Sequence, residues 1–294
     1  LTAAEPIDIV TAGPRGAAPA TTEDTRLSYL EELRGIGIEK SRGLPDEDFL
    51  IRGLWRTDLL FRPNPAERTF SYTYLIVQTV GDGACYCSTI PRLTEGRHLV
   101  GKDVRRADFK YRCFEVAAVD ALFSAFEKHP AESKTMTGSS REKALWRSRI
   151  VVDEVVRLLD SGAAGGAKVV NVGVIGNIIR MLTDRGIEVF GTDEDPVLVG
   201  TEIAGVPIYG EEKTVELVEE CDVAVMTGMI ISTDTMEDIF EAARRGGTRL
   251  VMFCETGANF CEEYVKLGVD TAIAEPFPFY IFGGTTTIDI YRRG

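Results

Sequence analysis

At 294 residues and 44% hydrophobic content, the chain is longer than most single domains and carries enough apolar side chains for two modest cores. Its 46 acidic against 33 basic residues give a formal net charge of −13, a field that repels phosphate backbones and anionic lipid, so nucleic acid is not an expected partner. No apolar run approaches the roughly 20 residues that span a bilayer, and the start lacks the basic-then-apolar order of a secretory signal; a cytoplasmic protein with no membrane partner is expected.

The six cysteines are scattered, unlike the dense spacing of a small disulfide scaffold, so reduced thiols are expected. Residues 1–25, rich in Ala, Pro, Thr and Gly, read as a mobile arm. A short helix is predicted from Leu27 to Leu33, after the acidic Glu23-Asp24. From Thr69 to Val80 the residues are aromatic and β-branched, Gly81-Asp82-Gly83 offers a tight turn, and Ala84 to Ile90 is predicted to return antiparallel. In that strand Cys85 and Cys87 share a face about 7 Å apart, too far for an unstrained disulfide. Phe114, Ala118, Ala121, Leu122, Ala125 and Phe126 form the apolar stripe of a helix from Phe114 to Lys128. Asp120 interrupts it, and a carboxylate among Val116, Ala117 and Phe123 needs a buried partner, an outlet to solvent, or a raised pKa.

Residues 129–140 lack an apolar period and read as a linker, dividing the chain into domains 26–140 and 141–294. Arg141 to Asp160 resumes helical spacing, and the glycines of 161–167 stop it. Short apolar strands then alternate with amphipathic helices: strands Val169–Val172, Ile187–Thr192, Asp222–Thr227, Arg249–Phe253 and Thr271–Ala274, with helices Asn177–Arg185, Val215–Glu220, Met236–Arg245 and Phe260–Leu267. That pattern demands a Rossmann-like parallel sheet covered on both faces, and in such sheets ligands bind beyond the carboxyl ends of the strands.

Three strand-end loops stand out on that rule. Asn171-Val-Gly173-Val-Ile-Gly176-Asn177 follows a strand and opens a helix as a dinucleotide turn would, with Asn171 where the tight-turn glycine is usual; Asp193, at the end of the next strand, is placed to accept ribose hydroxyls. Thr227-Gly228 begins a loop whose hydroxyls can cap a helix or whose amides can hold an anion. Cys254-Glu255-Thr256-Gly257 brings a thiol and a carboxylate to one strand end. The two histidines, His98 and His129, have no metal-ligand spacing with a cysteine or carboxylate, and neither a nucleophile elbow nor a Walker loop is present.

Several of these segments carry a family resemblance: Val172-Gly173-Val174-Ile175-Gly176, Asp222-Val-Ala-Val-Met-Thr227-Gly228 followed by Asp234-Thr235-Met236, Leu267-Gly268-Val269-Asp270, and the alanine-rich helix around Phe114 to Leu122. The chain resembles the putative heavy-metal chelation proteins, the DUF364 and DUF4213 group. The resemblance implies an α/β fold in which a smaller, enolase-N-terminal-like α+β domain precedes the Rossmann-like domain, with the site in the cleft between them. This chain departs from the family at Cys254-Glu255-Thr256-Gly257, where a Gly-Pro-Ser/Thr loop is usual, and at Asp120, where Asn is usual.

The leading expectation is a small-molecule enzyme or binding protein that handles a metal or a metal-chelating metabolite in that cleft, with Asp120, Cys254 and Glu255 as catalytic or donor groups. Thiolate plus carboxylate suits a borderline metal. A second reading is a transferase or oxidoreductase with S-adenosylmethionine or NAD(P) on Gly173, Gly176, Asn177, Asp193, Thr227 and Gly228; a third is a structural or regulatory protein with a vestigial Rossmann domain. A homodimer stays open in each.

Overall fold

The computed structural model describes residues 28–61, 70–86, 91–160 and 166–294. The expected arm at 1–25, Cys87 and most of the 161–167 glycine run lie outside them. No helix among the described residues is long and apolar enough to cross a membrane.

In the first half, β1 (Gly53–Phe61), β2 (Phe70–Gln78) and β3 (Asp82–Tyr86) form an antiparallel sheet in that order. Alternation along β2 and β3 sends Leu75, Val77 and Cys85 to one face and Tyr74, Ile76 and Ala84 to the other. Helix α2 (Arg112–Phe123) lies on the first face, so close that a Cβ on Gly83 would stand 2.1 Å from the Ala121 nitrogen. Helix α1 (Tyr29–Lys40), opened by a capping box between Ser28 and Glu31, runs past the predicted end at Leu33. Gly37 explains the continuation: a Cβ there would meet Leu122 at 2.7 Å, so the glycine sets how closely α1 packs on α2.

The second half is a nine-stranded sheet in the order β4-β12-β11-β10-β9-β5-β6-β8-β7. Its elements are β4 (Glu132–Thr137), α3 (Ser140–Asp160), β5 (Lys168–Val172), α4 (Gly176–Thr183), β6 (Glu188–Thr192), β7 (Glu202–Ile203), β8 (Val206–Tyr209) and α5 (Thr214–Glu220). There follow β9 (Val223–Thr227), α6 (Met236–Gly246), β10 (Arg249–Cys254), α7 (Cys261–Lys266), β11 (Thr271–Ala274) and β12 (Thr285–Arg292). The block from β11 to β8 is parallel, as the sequence predicts, and the edges are antiparallel. Strand order reverses between β5 and β9, which makes their carboxyl ends the switch point where such sheets open a crevice.

The helix expected from Phe114 to Lys128 ends at Phe123, and two larger features also differ from the sequence reading. Residues 129–140, read as linker, contain β4, which pairs with β12 from Glu132↔Ile290 to Thr137↔Thr285. Its alternating half-buried and exposed pattern of short polar residues belongs to an edge strand, where one face needs no apolar side chains. The junction between the halves is also packed rather than open: one apolar cluster joins Leu33, Phe114 and Leu122 to Phe240, Met252 and Tyr264. The nearly all-apolar α2 causes this, since it has apolar surface to bury on every side.

Candidate functional site

The Gly173 turn is held by side chains of the chain itself. Gly173 adopts φ +72°, and a Cβ there would lie 2.8 Å from Thr227 Oγ1, so only glycine lets the ends of β5 and β9 meet. Asn171, in the position of the usual first glycine, accepts from Ile175 N (2.9 Å) and donates to Val225 O and Gly173 O (both 3.3 Å). Asp193 accepts from Val174 N (2.8 Å) through one oxygen and from Asp195 N (2.9 Å) through the other. The Val174 and Ile175 amides of the turn are thus satisfied by side chains of the chain itself. Asn177 sits in the first turn of α4, its oxygen 3.3 Å from Arg180 Nη1, and Gly176 packs near Ile203.

Replacing Asp193 with alanine orphans two loop amides and is expected to lower stability by about 1–2 kcal/mol, measured by urea unfolding. Unchanged stability would show that the turn does not depend on this carboxylate.

Cys254 and Glu255, neighbours in sequence, part at the end of β10 because strand alternation sends them to opposite faces. Cys254 points beneath the sheet towards α2 and α7; it is fully buried, and burial, then the nearby Cys261 thiol, push its own thiol well above the usual range. Asp120 lies on the same side, accepting from Ala84 N and Asn259 N at 2.8 Å each. These two sequence-predicted groups are close, but both lie under the rim. Gly228 serves close approach, since a Cβ there would stand 2.1 Å from Thr256 O. Thr256 in turn accepts from Tyr86 N (2.8 Å), tying this loop to β3.

Glu255 emerges on the other face and meets residues the sequence reading did not single out. Arg147 of α3 bonds both Glu255 and Glu275, the latter at 2.9 Å, and its guanidinium stacks 3.6 Å from the Tyr280 ring centre. Tyr74 OH donates to the second oxygen of Glu255 at 2.5 Å. Glu275, directly after β11, also accepts from Tyr280 N (2.8 Å) and Thr286 Oγ1 (2.9 Å). Burial raises its pKa, a trend Arg147 opposes and Glu255 reinforces. One guanidinium between two carboxylates leaves a formal charge of −1 in a largely buried setting, walled by Tyr74, Phe279 and Tyr280 with Tyr72 and Tyr86 half-buried at the margin. Glu275 repeats the strand-end signal of Glu255; Arg147, mid-helix, carries no comparable signal.

On the other side of the switch point the rim is acidic again. A hollow of about 250 Å³ is lined by Asp193, Glu194, Glu211 and Glu212 with Pro196 and Val199. Burial raises the Glu194 pKa, and the like charges of Asp193, Glu211 and Asp195 add to it. Among the described residues no three His, Cys, Asp or Glu side chains converge as ligands for one ion.

Residues 157–257 match the family model DUF364, described as putative heavy-metal chelation. This is the family the sequence resembles. Among solved structures, the chain is similar to a DUF364-family protein of unknown function from Desulfitobacterium hafniense DCB-2, with 15% identity over 89% of this chain and 99% of that one and a TM-score of 0.55. It is also similar to a DUF364-family protein of unknown function from Pyrococcus horikoshii, with 14% identity over 83% of this chain and 86% of that one and a TM-score of 0.46. At such identities the first likeness shows the DUF364 fold, the mixed α/β architecture with its parallel-rich sheet. No curated protein matches the chain.

Proposed function

We propose that this chain is a small-molecule binding protein whose carboxyl rim receives a cationic organic ligand. The observation that carries the reading is the charge at the strand ends: Asp193-Glu194 after β6, Glu211-Glu212 just past β8 and Glu255 after β10, with Glu275 buried behind Glu255 and sharing Arg147 with it. A rim of that sign attracts amines, guanidines and positively charged metal chelates, and repels the phosphates of a nucleotide. Tyr72 and Tyr86, half-buried at the margin beside Glu255, add aromatic rings near which a cation is stabilised.

The heavy-metal description of the family is compatible with such a rim when the metal arrives inside a cationic chelate. A bare ion finds a poorer fit, because Glu255 and Glu275 are both engaged by Arg147 and the thiols of Cys85, Cys254 and Cys261 are buried.

Calorimetric titration with agmatine, spermidine, zinc alone, S-adenosylmethionine and NADPH tests the reading. Saturable binding of an organic amine or guanidine is expected, weakening as salt rises and about tenfold weaker in Glu255→Gln, the equivalent of about 1.4 kcal/mol. Binding of NADPH in preference to the amines, or stoichiometric uptake of zinc alone, would discard it.

A further inference from the structure

β1 ends the small sheet, and among the described residues no strand lies on its other side. It presents a nine-residue edge with Trp55 44% and Leu60 82% exposed, a combination that soluble proteins normally blunt or cover. The hydrogen-bond alternation across the sheet identifies which β1 residues aim their backbone outwards. On β3, Ala84 and Tyr86 give their amides to Asp120 and Thr256, so their β2 partners, Ile76 and Tyr74, bond towards β1 instead. Their β1 partners, Trp55 and Thr57, are thus the inward-bonded positions, and the backbone of Leu54, Arg56, Asp58 and Leu60 faces the outer edge.

We propose that β1 is a dimerisation edge, two copies pairing antiparallel about a two-fold axis at Thr57 to join their small sheets into one. The occupant is chosen by self-complementarity. In this register Arg56 of each copy stands opposite Asp58 of the other, Leu54 opposite Leu60, and Trp55 opposite Leu59. The outward-facing positions pair with outward-facing positions, as a continuing ladder requires. Shifting the axis to Arg56 sets arginine against arginine, and shifting it to Asp58 sets aspartate against aspartate; both are disfavoured by like charges directly across. Within one chain Arg56 Nε already lies 3.0 Å from Asp58 Oδ1 and Thr73 Oγ1 donates to the same oxygen at 2.8 Å, so both charges are held on one face of the strand, ready to be shared across the axis. Leu60, 82% exposed, gains cover against the half-buried Leu54 of the other copy in the same step.

Sedimentation velocity over a concentration series reads the equilibrium. A concentration-dependent dimer is expected, with dissociation at least tenfold stronger in Arg56→Asp, which places carboxylates opposite one another, and restored pairing in the double variant Arg56→Asp, Asp58→Arg. Thr57→Cys, at the axis in a non-hydrogen-bonded pair with Cα atoms about 4.5 Å apart, is expected to give a disulfide-linked dimer with oxidised glutathione, whereas Leu60→Cys, opposite Leu54, is not. A monomer at every concentration, a dimer indifferent to Arg56→Asp, or a double variant that fails to re-pair overturns the proposal. Circular dichroism on each variant separates loss of pairing from loss of fold.

Discussion

Arg147→Ala is expected to lower the unfolding free energy by about 3–5 kcal/mol, the range for breaking a buried ion pair by removing one partner. The reason is what remains behind. The Glu275 side chain is 0% exposed, and without Arg147 its charge has only Tyr280 N and Thr286 Oγ1 as donors. Glu255 keeps Tyr74 OH and partial access to water, so the loss falls mainly on Glu275. Stacking of the guanidinium on Tyr280 disappears as well, and Arg147→Lys, which keeps a charge but lacks the planar fork, is expected to recover only part of the deficit.

The pH dependence identifies the culprit. The folded-state pKa of Glu275 is raised by burial, and Arg147 is the main influence holding it down, so removing Arg147 raises it further. A carboxyl with a raised folded pKa contributes stability below its unfolded value and loses it as pH rises through the folded value. The variant should therefore sit closest to wild type in acid and fall away towards pH 8. Adding Glu275→Gln to Arg147→Ala should remove that slope; urea unfolding at several pH values checks both. A pH-independent deficit would mean that lost packing, not a stranded charge, is responsible.

Much of the second half was legible because its strands are buried on both faces and its helices on one, the strongest contrast a sequence can carry. Val223–Thr227 and Arg249–Cys254 alternate between two apolar cores, so every residue after Arg249, which opens β10, is apolar or small, and the strand limits fall within a residue of expectation. Strands whose faces are half polar were missed. β4 reads Glu-Ser-Lys-Thr-Met-Thr, and its side chains meet those of β12 mostly through polar contacts across the ladder such as Thr137 Oγ1 to Thr285 Oγ1 at 2.8 Å. β12 was missed for the same reason, and β7 and β8 are too short to show a period.

At the site the strand-end rule led to Asp193 and Glu255, but it could not tell which face each side chain would take. One residue decides it: Cys254, the last of β10, turns under the sheet, and Glu255 turns towards α3. Arg147 was invisible because nothing local distinguishes an arginine that reaches two carboxylates more than a hundred residues away from one on a solvated helix face.

Asp120 joins the halves, and its replacement should be felt in both. Its two oxygens accept from Ala84 N of β3 and Asn259 N of the loop before α7, so one side chain of α2 ties the small sheet to the large one. Asp120→Ala leaves two buried amides without an acceptor; at about 1–3 kcal/mol each the expected loss is roughly 2–6 kcal/mol at pH 5. Burial pushes the Asp120 pKa up to about 7, against the two amide bonds and the charge of Lys128, which act in the opposite direction. The folded value lies above the ordinary one of 3.8, so the carboxyl's contribution is complete below about pH 4 and is lost as pH rises through about 7. Wild-type stability is expected to decline across that window by up to about 4 kcal/mol from this group, taking 1.36 kcal/mol per pKa unit. Asp120→Asn, which cannot ionise, should lose that decline, so the two unfolding curves converge or cross on the alkaline side. Parallel curves from pH 5 to pH 8 would place the carboxylate's ionisation outside this range and leave Asp120 a charged acceptor throughout.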